Sequence, residues 1–283
     1  MNSPRVVATR AELVAELERA TGVRAVVPTM GALHDGHAQL IRSARDTVGE
    51  SGLVIVTVFV NPTQFAAGED FDRYPRTLDA DIEVCARAGA DLIFAPSVAE
   101  MYPQGETVVT VNPGPLGAIL EGAVRPTHFQ GVLTVVNKLF NLTRAQVAFF
   151  GEKDYQQLVL IRRMAMDLSM EVQVVGVPTV READGLAMSS RNRFLSVEER
   201  FLATIMPNAI DTGVRTADAG GTCTEVIAEV TKALSTVEYD YVVVTDPELG
   251  PAPVTGPARL IIAARIGPVR LLDNTSIHLG VRQ

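Results

Sequence analysis

"RAVVPTMGALHDGHAQLIRSARDTVGE", residues 24–50, decides how this chain is read. Its first six residues form a short apolar run, the pattern of a buried strand. From Gly36 onward, Leu40, Ile41 and Ala44 fall on one face at helical spacing. Between the two lies a glycine-containing loop that carries His34 and His37, two of the four histidines in the chain. The question is why so few histidines are concentrated at the mouth of one helix.

Working outward, the alternation continues. "GLVIVTVFVNP" (52–62) is β-branched and stopped by Asn-Pro, which predicts a strand. A helix is expected over 77–90, with Gly89 at its C-terminal end. Strands follow at 91–97 and 107–115, then a helix over 128–142, a strand over 145–154, a helix over 154–168 and a strand over 171–180. Strands apolar on both faces, separated by helices, imply a parallel sheet covered on both sides, with right-handed crossovers. The expected fold class is α/β, a Rossmann-like doubly wound parallel sheet. Such sheets hold ligands at the carboxyl ends of their strands. Three polar motifs fall there: "PTMGALHDGH", "NPTQF" and "GEKDYQQ".

After about residue 180 the texture changes. "VREADGLAMSSRNRFLS" is polar and loop-like. Ser196 and Glu199 match a capping box that opens a helix through residue 210, with a kink expected at Pro207. A second helix and three strands separated by Gly/Pro-rich turns follow. The expected division is a domain over 1–182 and a smaller α+β domain over 183–283, with helices and a short antiparallel sheet.

Charge and composition exclude several classes. The chain has 283 residues and a formal net charge of −8, with no basic block, so it lacks the footprint of a nucleic-acid binder. No run of about 18 apolar residues is available to span a membrane. The charged opening stretch has no apolar core of a signal peptide. Cys85 and Cys223 are the only cysteines and neither sits in a C-x-x-C, which fits a reducing, cytoplasmic setting.

Each motif has a plain and a chemical reading. His34 and His37 could simply cap a helix. A structural zinc site wants four ligands, and no matching Cys/His partners exist. A helix N-terminus also offers free N–H groups and a positive dipole end to an anion, and Gly31 and Gly36 let backbone approach closely. Two imidazoles beside those groups can stabilise charge on a departing pyrophosphate. Lys153, after a strand-ending glycine, could be a solvated surface residue or a compact cation for a phosphate oxygen. Asp154 can cap the next helix, and Gln157 lies on that helix's first turn. Ser189 and Ser190 beside Arg191 and Arg193 make either a turn or a phosphate clamp.

"HDGH" followed in order by "AMSSRN" resembles the paired HIGH and KMSKS motifs of a nucleotidyltransferase superfamily. Nearly the whole chain resembles one family within it, the pantoate–β-alanine ligases. The resemblance is carried by "VPTMGALHDGH", "VFVNPTQF", "FDRYPRT", "RPTHFQGVLTVVNKLFN", "FFGEKDYQQLVLIRRM", "VPTVREADGLAMSSRN" and "RLLDN". It implies an ATP-dependent condensation of D-pantoate with β-alanine through a pantoyl adenylate, releasing pyrophosphate and AMP. It further implies that ATP meets Met30, Gly31, His34, Gly36 and His37, with His37 as proton donor or charge stabiliser. Gly151, Glu152, Lys153, Asp154 and Val180 form the second ATP-contacting set, and Met188, Ser189, Ser190 and Arg191 the closing loop. Catalysis is assigned to His34, His37, Lys153, Ser189, Ser190 and Arg191. By the same resemblance Gln64 holds pantoate and lies near the β-alanine site, and Gln157 is the second pantoate ligand; amides can meet a hydroxyl and a carboxylate without adding charge. Magnesium (Mg2+) accompanies ATP, with Asp79 or Asp81 as its protein contact although Ala80 interrupts the acidic run. No tightly bound organic cofactor is expected. A homodimer through the first domain is implied, with the apolar strand at 107–111 to pack across a two-fold axis, and the second domain is expected to act as a lid hinged near Val180. The alternatives are a related HxGH nucleotidyltransferase acting on another small substrate, disfavoured by "NPTQF" and the paired glutamines, and a non-catalytic nucleotide-binding module. A tRNA synthetase is disfavoured by the acidic charge and small C-terminal domain.

Overall fold

The computed structural model describes residues 3–66, 68–69, 71–105 and 107–280. Two units emerge: Met1–Gly151 with Gln156–Pro178, and Glu152–Tyr155 with Thr179–Gln283.

In the first unit strands and helices alternate: β1 (Arg5–Val7), α1 (Arg10–Arg19), β2 (Arg24–Thr29), α2 (Asp35–Val48), β3 (Leu53–Val58), α3 (Leu78–Ala88), β4 (Leu92–Phe94), α4 (Val98–Met101), α5 (Glu121–Val124), α6 (His128–Thr143), β5 (Val147–Gly151), α7 (Tyr155–Asp167) and β6 (Gln173–Val177). All strand pairs are parallel, in the order β1-β4-β3-β2-β5-β6. Period-two alternation explains why the strands are apolar on both faces. Val26, Ile55, Leu92, Phe94, Ala148 and Phe150 join a core with Leu13 and Leu17 of α1, Phe129 and Leu133 of α6, and Leu158 and Ile161 of α7. Their neighbours Ala25, Val27, Val54, Val56, Ile93, Val147 and Phe149 face the opposite way, against Ile41 and Ala44 of α2 and Cys85 of α3. Each fully buried large aliphatic side chain contributes roughly 1.5–3 kcal/mol, so the two layers supply most of the drive. The strand order reverses between β2 and β5, which opens a crevice at their carboxyl ends.

The second unit contains α8 (Val197–Ala203), α9 (Ile205–Asp218), α10 (Cys223–Ala233), β7 (Glu238–Thr245), β8 (Gly256–Ile266) and β9 (Val269–Leu279). The strands form an antiparallel sheet in the order β7-β8-β9. Leu260, Ile262, Ala264 and Ile266 of β8 pack with Met206 and Ile210 of α9 and Val226 and Val230 of α10. Arg259 alternates to the other face, where it holds the Glu152–Tyr155 segment. Its guanidinium pairs with the Glu152 carboxylate at 3.0 Å and lies 3.9 Å from the Tyr155 ring centroid. These contacts are why the segment joins the second unit. The chain therefore does not divide by a single cut at 182/183.

Three local expectations need correction. Residues 107–115 do not form a strand: Val108 and Val109 are 98% and 85% exposed, and the segment is held by side chains, with Val111 N–H donating to Thr134 Oγ1 at 3.0 Å. The helix expected through 210 is two helices meeting at Thr204. Pro207 consequently sits in the first turn of α9, where its missing N–H leaves no intrahelical bond unmade, and it kinks nothing. The Ser196–Glu199 capping box and Gly89 as a left-handed C-cap, at φ 94°, are present. No helix among the described residues is long and apolar enough to cross a membrane.

Candidate active site

The loop after β2 turns sharply. Gly31 has φ 84° and Ala32 has φ 52°, so two successive residues are left-handed. A Cβ on Gly31 would meet Asp81 Oδ2 at 3.0 Å and Val58 Cγ1 at 3.1 Å, so glycine is required there on two counts. The Asp81 carboxylate, 1% exposed, holds the turn from α3: it accepts Ala32 N–H at 3.1 Å, Leu33 N–H at 2.8 Å and the Thr77 hydroxyl at 3.2 Å.

The two histidines close the mouth of α2 reciprocally. His34 is the N-cap and its Nδ1 accepts Gly36 N–H at 3.1 Å, while His37 Nδ1 accepts His34 N–H at 3.3 Å. Their ring centroids are 4.2 Å apart. Both Nδ1 atoms are acceptors, which assigns the ring proton of each neutral imidazole to Nε2. Capping therefore occupies the Nδ1 atom of each ring. The two capped rings stand at a helix N-terminus, where the dipole favours an anion.

The loop after β3 leaves the sheet at the same edge. Pro62–Gln64 is one 3-10 turn capped by Asn61. Asn61, 1% exposed, had no role in the sequence reading, yet it is the hub of this loop. Its amide donates to Gln64 Oε1 at 3.1 Å and to the Gly131 carbonyl at 3.2 Å, and its Oδ1 accepts the Tyr102 hydroxyl at 2.7 Å. The Gln64 amide is thereby oriented with Nε2 3.1 Å from Met30 Sδ. The Gln64 carbonyl lies 3.0 Å from His128 Nδ1 and accepts from Arg125 at 3.3 Å. Arg125 in turn grips Glu69, holding that carboxyl below its ordinary value. A Cβ on Gly131 would meet the Thr63 carbonyl at 2.3 Å, so only glycine lets α6 approach. The adjacent glutamines of α7 divide their work. Gln156 is buried and its amide serves the Leu116 and Ile119 carbonyls and Glu121 N–H, while Gln157 is half-buried on the first turn.

Most of the other expected residues belong to the second unit. Lys153 lies half-buried in the 3-10 turn Glu152–Asp154, its Nζ 3.5 Å from Asp154 Oδ1; Gly151, which precedes the turn, ends β5. Val180 accepts Met188 N–H at 2.9 Å, and Arg181 bridges to Ala187 in the antiparallel sense. Ser189 caps the 3-10 turn Ser190–Phe194, its Oγ accepting Arg191 N–H at 3.2 Å. Asn192 fastens this turn, donating to the Glu182 carboxylate at 2.6 Å and the Ala187 carbonyl at 3.1 Å, and Arg200 pairs with Glu182 and Asp184.

The acidic pair expected at magnesium separates. Asp79 is exposed on the first turn of α3, whereas the Asp81 oxygens already accept backbone and hydroxyl donors. Among the described residues no group of three or more His, Cys, Asp or Glu side chains is placed to hold a metal ion.

A doubly wound parallel sheet with an H-x-G-H helix mouth beside its switch point defines a class, the HxGH enzymes that handle nucleotides. Within that class, residues 5–276 match the profile of the pantoate–β-alanine ligases, and the chain belongs to that family. A pantothenate synthetase from a Nocardioides species is 54% identical over 99% of this chain and 87% of its own. The crystal structure of pantothenate synthetase from Thermus thermophilus has a TM-score of 0.89 at 50% identity, covering 96% of this chain and 98% of that one. The pantoate–β-alanine ligase from Francisella tularensis, solved in complex with β-γ ATP and β-alanine, has a TM-score of 0.79 at 32% identity, covering 96% and 97%. The chain is accordingly a ligase that joins pantoate to β-alanine.

Proposed function

We propose that the ligation runs in two steps on ATP. A carboxylate oxygen of D-pantoate attacks the α-phosphorus, the bond to pyrophosphate breaks, and a pantoyl adenylate forms. The amine of β-alanine then attacks the acyl carbon and AMP leaves with the electron pair of the broken C–O bond. The observation that carries this reading is the reciprocal cap, which keeps both Nδ1 atoms as acceptors and both Nε2–H groups as donors at the α2 mouth.

In this reading Nε2–H of His34 and His37 and the N-terminal N–H groups of α2 stabilise charge on the departing pyrophosphate. Met30, Gly31 and Gly36 give ATP close access to backbone. Gln64, with its amide fixed by Asn61, and Gln157 hold the hydroxyl and carboxylate of pantoate. Lys153 and the 188–191 loop, with Ser189, Ser190 and Arg191, supply further phosphate donors, while Gly151, Glu152, Asp154 and Val180 line the nucleotide. Magnesium arrives with the nucleotide, held by phosphates and water; of the two aspartates, Asp79 is the exposed one, and Asp81 serves the loop. We place the enzyme in the cytoplasm, where its two free cysteines stay reduced. It is a homodimer in this reading, with exposed Val108 and Val109 at the contact; light scattering at micromolar concentration is expected to give twice the chain mass, and a monomer mass overturns that part.

The test of the chemistry is isotope exchange. Labelled pyrophosphate should enter ATP when pantoate is present and β-alanine is absent. Release of ADP and phosphate in the full reaction, with no such exchange, points instead to an acyl phosphate and overturns the adenylate.

A further inference from the structure

The motif "RLLDN" (270–274) has no role in the chemistry above, yet its last two residues are among the most buried polar groups of the second unit. Asp273 is 1% exposed and Asn274 is 3% exposed, side by side in β9. Successive strand residues point to opposite faces, and these two reach different loops. Asn274 Nδ2 donates to the carbonyls of Glu152 at 3.0 Å and Lys153 at 2.8 Å. Its Oδ1 accepts from Arg259 Nε at 2.7 Å, and Arg259 carries the Glu152 carboxylate at 3.0 Å. The turn that presents Lys153 is therefore held by its backbone and by its side chain from one amide. On the other face, Asp273 accepts both terminal nitrogens of Arg181, at 2.7 and 2.9 Å, and Arg181 also donates to the Gly185 carbonyl at 3.0 Å. Arg181 opens the hairpin whose return strand leads through Met188 into Ser189, Ser190 and Arg191.

We propose that Asp273 and Asn274 are positioning residues that set, from one point in β9, both the Lys153 turn and the loop bearing Ser189, Ser190 and Arg191. The residue types suit the task. An amide is both donor and acceptor, so Asn274 serves two carbonyls and a guanidinium at once. A carboxylate meets a guanidinium through two parallel bonds, which fixes direction as well as distance. The placement matters because a misplacement of about 1 Å at a reacting group costs on the order of 10²-fold in rate. The proposal rests on Lys153 and the 189–191 loop being phosphate donors.

The test uses isosteric variants of the full-length enzyme. Asn274→Asp keeps the acceptor for Arg259 and removes the donor to the two carbonyls. Asp273→Asn removes the charge opposite Arg181. Both are expected to lower turnover in pantoate-dependent pyrophosphate exchange by about tenfold to a hundredfold, measured on protein whose folded fraction is set by circular dichroism and melting. In a Lys153→Ala background, Asn274→Asp should add little further loss, while Asp273→Asn, acting through the other loop, should still multiply the loss. Folded Asn274→Asp with wild-type turnover and KM for ATP overturns the proposal, as does an Asn274→Asp loss of equal factor with and without Lys153. Should Asn274→Asp not fold, Asn274→Ser, which removes the amide without adding charge, carries the same comparison. Wild-type activity in Lys153→Ala is a separate outcome: it sinks the reading of Lys153 and, with it, the Asn274 half of the proposal.

Discussion

In the proposed reading, one side chain at the α2 mouth carries two duties at once. Glutamine is favoured at the third helical position because it can accept the N-cap N–H, and that is the bond His37 Nδ1 makes with His34. His37→Gln should therefore keep the cap and lose the Nε2–H donor. We expect it to melt near the wild-type temperature and to lose about 10²-fold or more in turnover, the scale for a donor aimed at developing negative charge. His37→Ala should lose the same turnover and also about 1 kcal/mol of stability, as capping losses do. Thermal melts paired with exchange rates check both, and wild-type turnover in His37→Gln would reduce the imidazole to a cap. Much of this was legible in the sequence: two histidines three apart before an amphipathic run announce a helix mouth. What was not legible is which nitrogen does what, because that depends on two backbone N–H directions. Asp81 is a second case: the left-handed pair Gly31 and Ala32 brings two N–H groups onto its carboxylate across 48 or more residues of chain, a contact that sequence spacing does not announce. Cys85, alone in the apolar layer, shows the opposite case: burial pushes its thiol up to about 12, so it stays protonated and unreactive, as an apolar neighbourhood dictates.

Elements with a continuous apolar run and a flanking glycine or proline were readable, because β2, β3 and β5 bury both faces and need no partner-specific information. The weaker elements were not. β1 and α1 hide in a charged opening stretch, although Thr9 and Glu12 form a capping box and Leu13 and Leu17 fill one core. The 107–115 segment misled in the other direction: its apolar residues suit a strand, but strandness needs a neighbour to pair with, and here Val111 N–H meets the Thr134 hydroxyl and Gly114 N–H the Asn112 side chain instead. The loop between β3 and α3 depends on an ion pair that sequence spacing does not announce, Arg125 with Glu69. This pair has a pH signature. The Arg125 guanidinium lowers the Glu69 carboxyl below its unfolded value. A depressed folded value contributes stability fully above the unfolded value, near 4.5, and that contribution fades as pH falls through the folded value. The melting temperature of Glu69→Gln should lie below wild type at pH 7, and the gap should close as both are acidified below about pH 4. A gap that persists unchanged at low pH would assign the effect to packing rather than charge.

At the scale of the whole chain, the proposed chemistry sets a requirement of its own. An acyl adenylate hydrolyses if water reaches it, so the reactive phosphate and acyl groups must be enclosed once ATP and pantoate are bound. Gly185, at φ 85°, belongs to a built turn, with its N–H donating to the Glu182 carbonyl and its own carbonyl held by Arg181. The hairpin of residues 180–188 is thus already formed, and Asn192 and Arg200 fasten its far side through Glu182. What remains to respond is the turn over 189–193, capped internally by the Ser189 hydroxyl on Arg191 N–H and tied to the hairpin through Asn192. Short loops of this kind gate active sites on the μs–ms scale. Hydrogen exchange resolves the two parts. In the free protein, amides over 180–188 should already be slow and those over 189–193 fast. Adding ATP and pantoate without β-alanine should slow 189–193 by at least about tenfold, with pantoate alone doing less, because a donor loop orders only when phosphate is there to accept. Slow exchange of 189–193 in the free protein, unchanged by ligands, would mean that Ser189, Ser190 and Arg191 form a preformed phosphate site, and that water is excluded by some other segment.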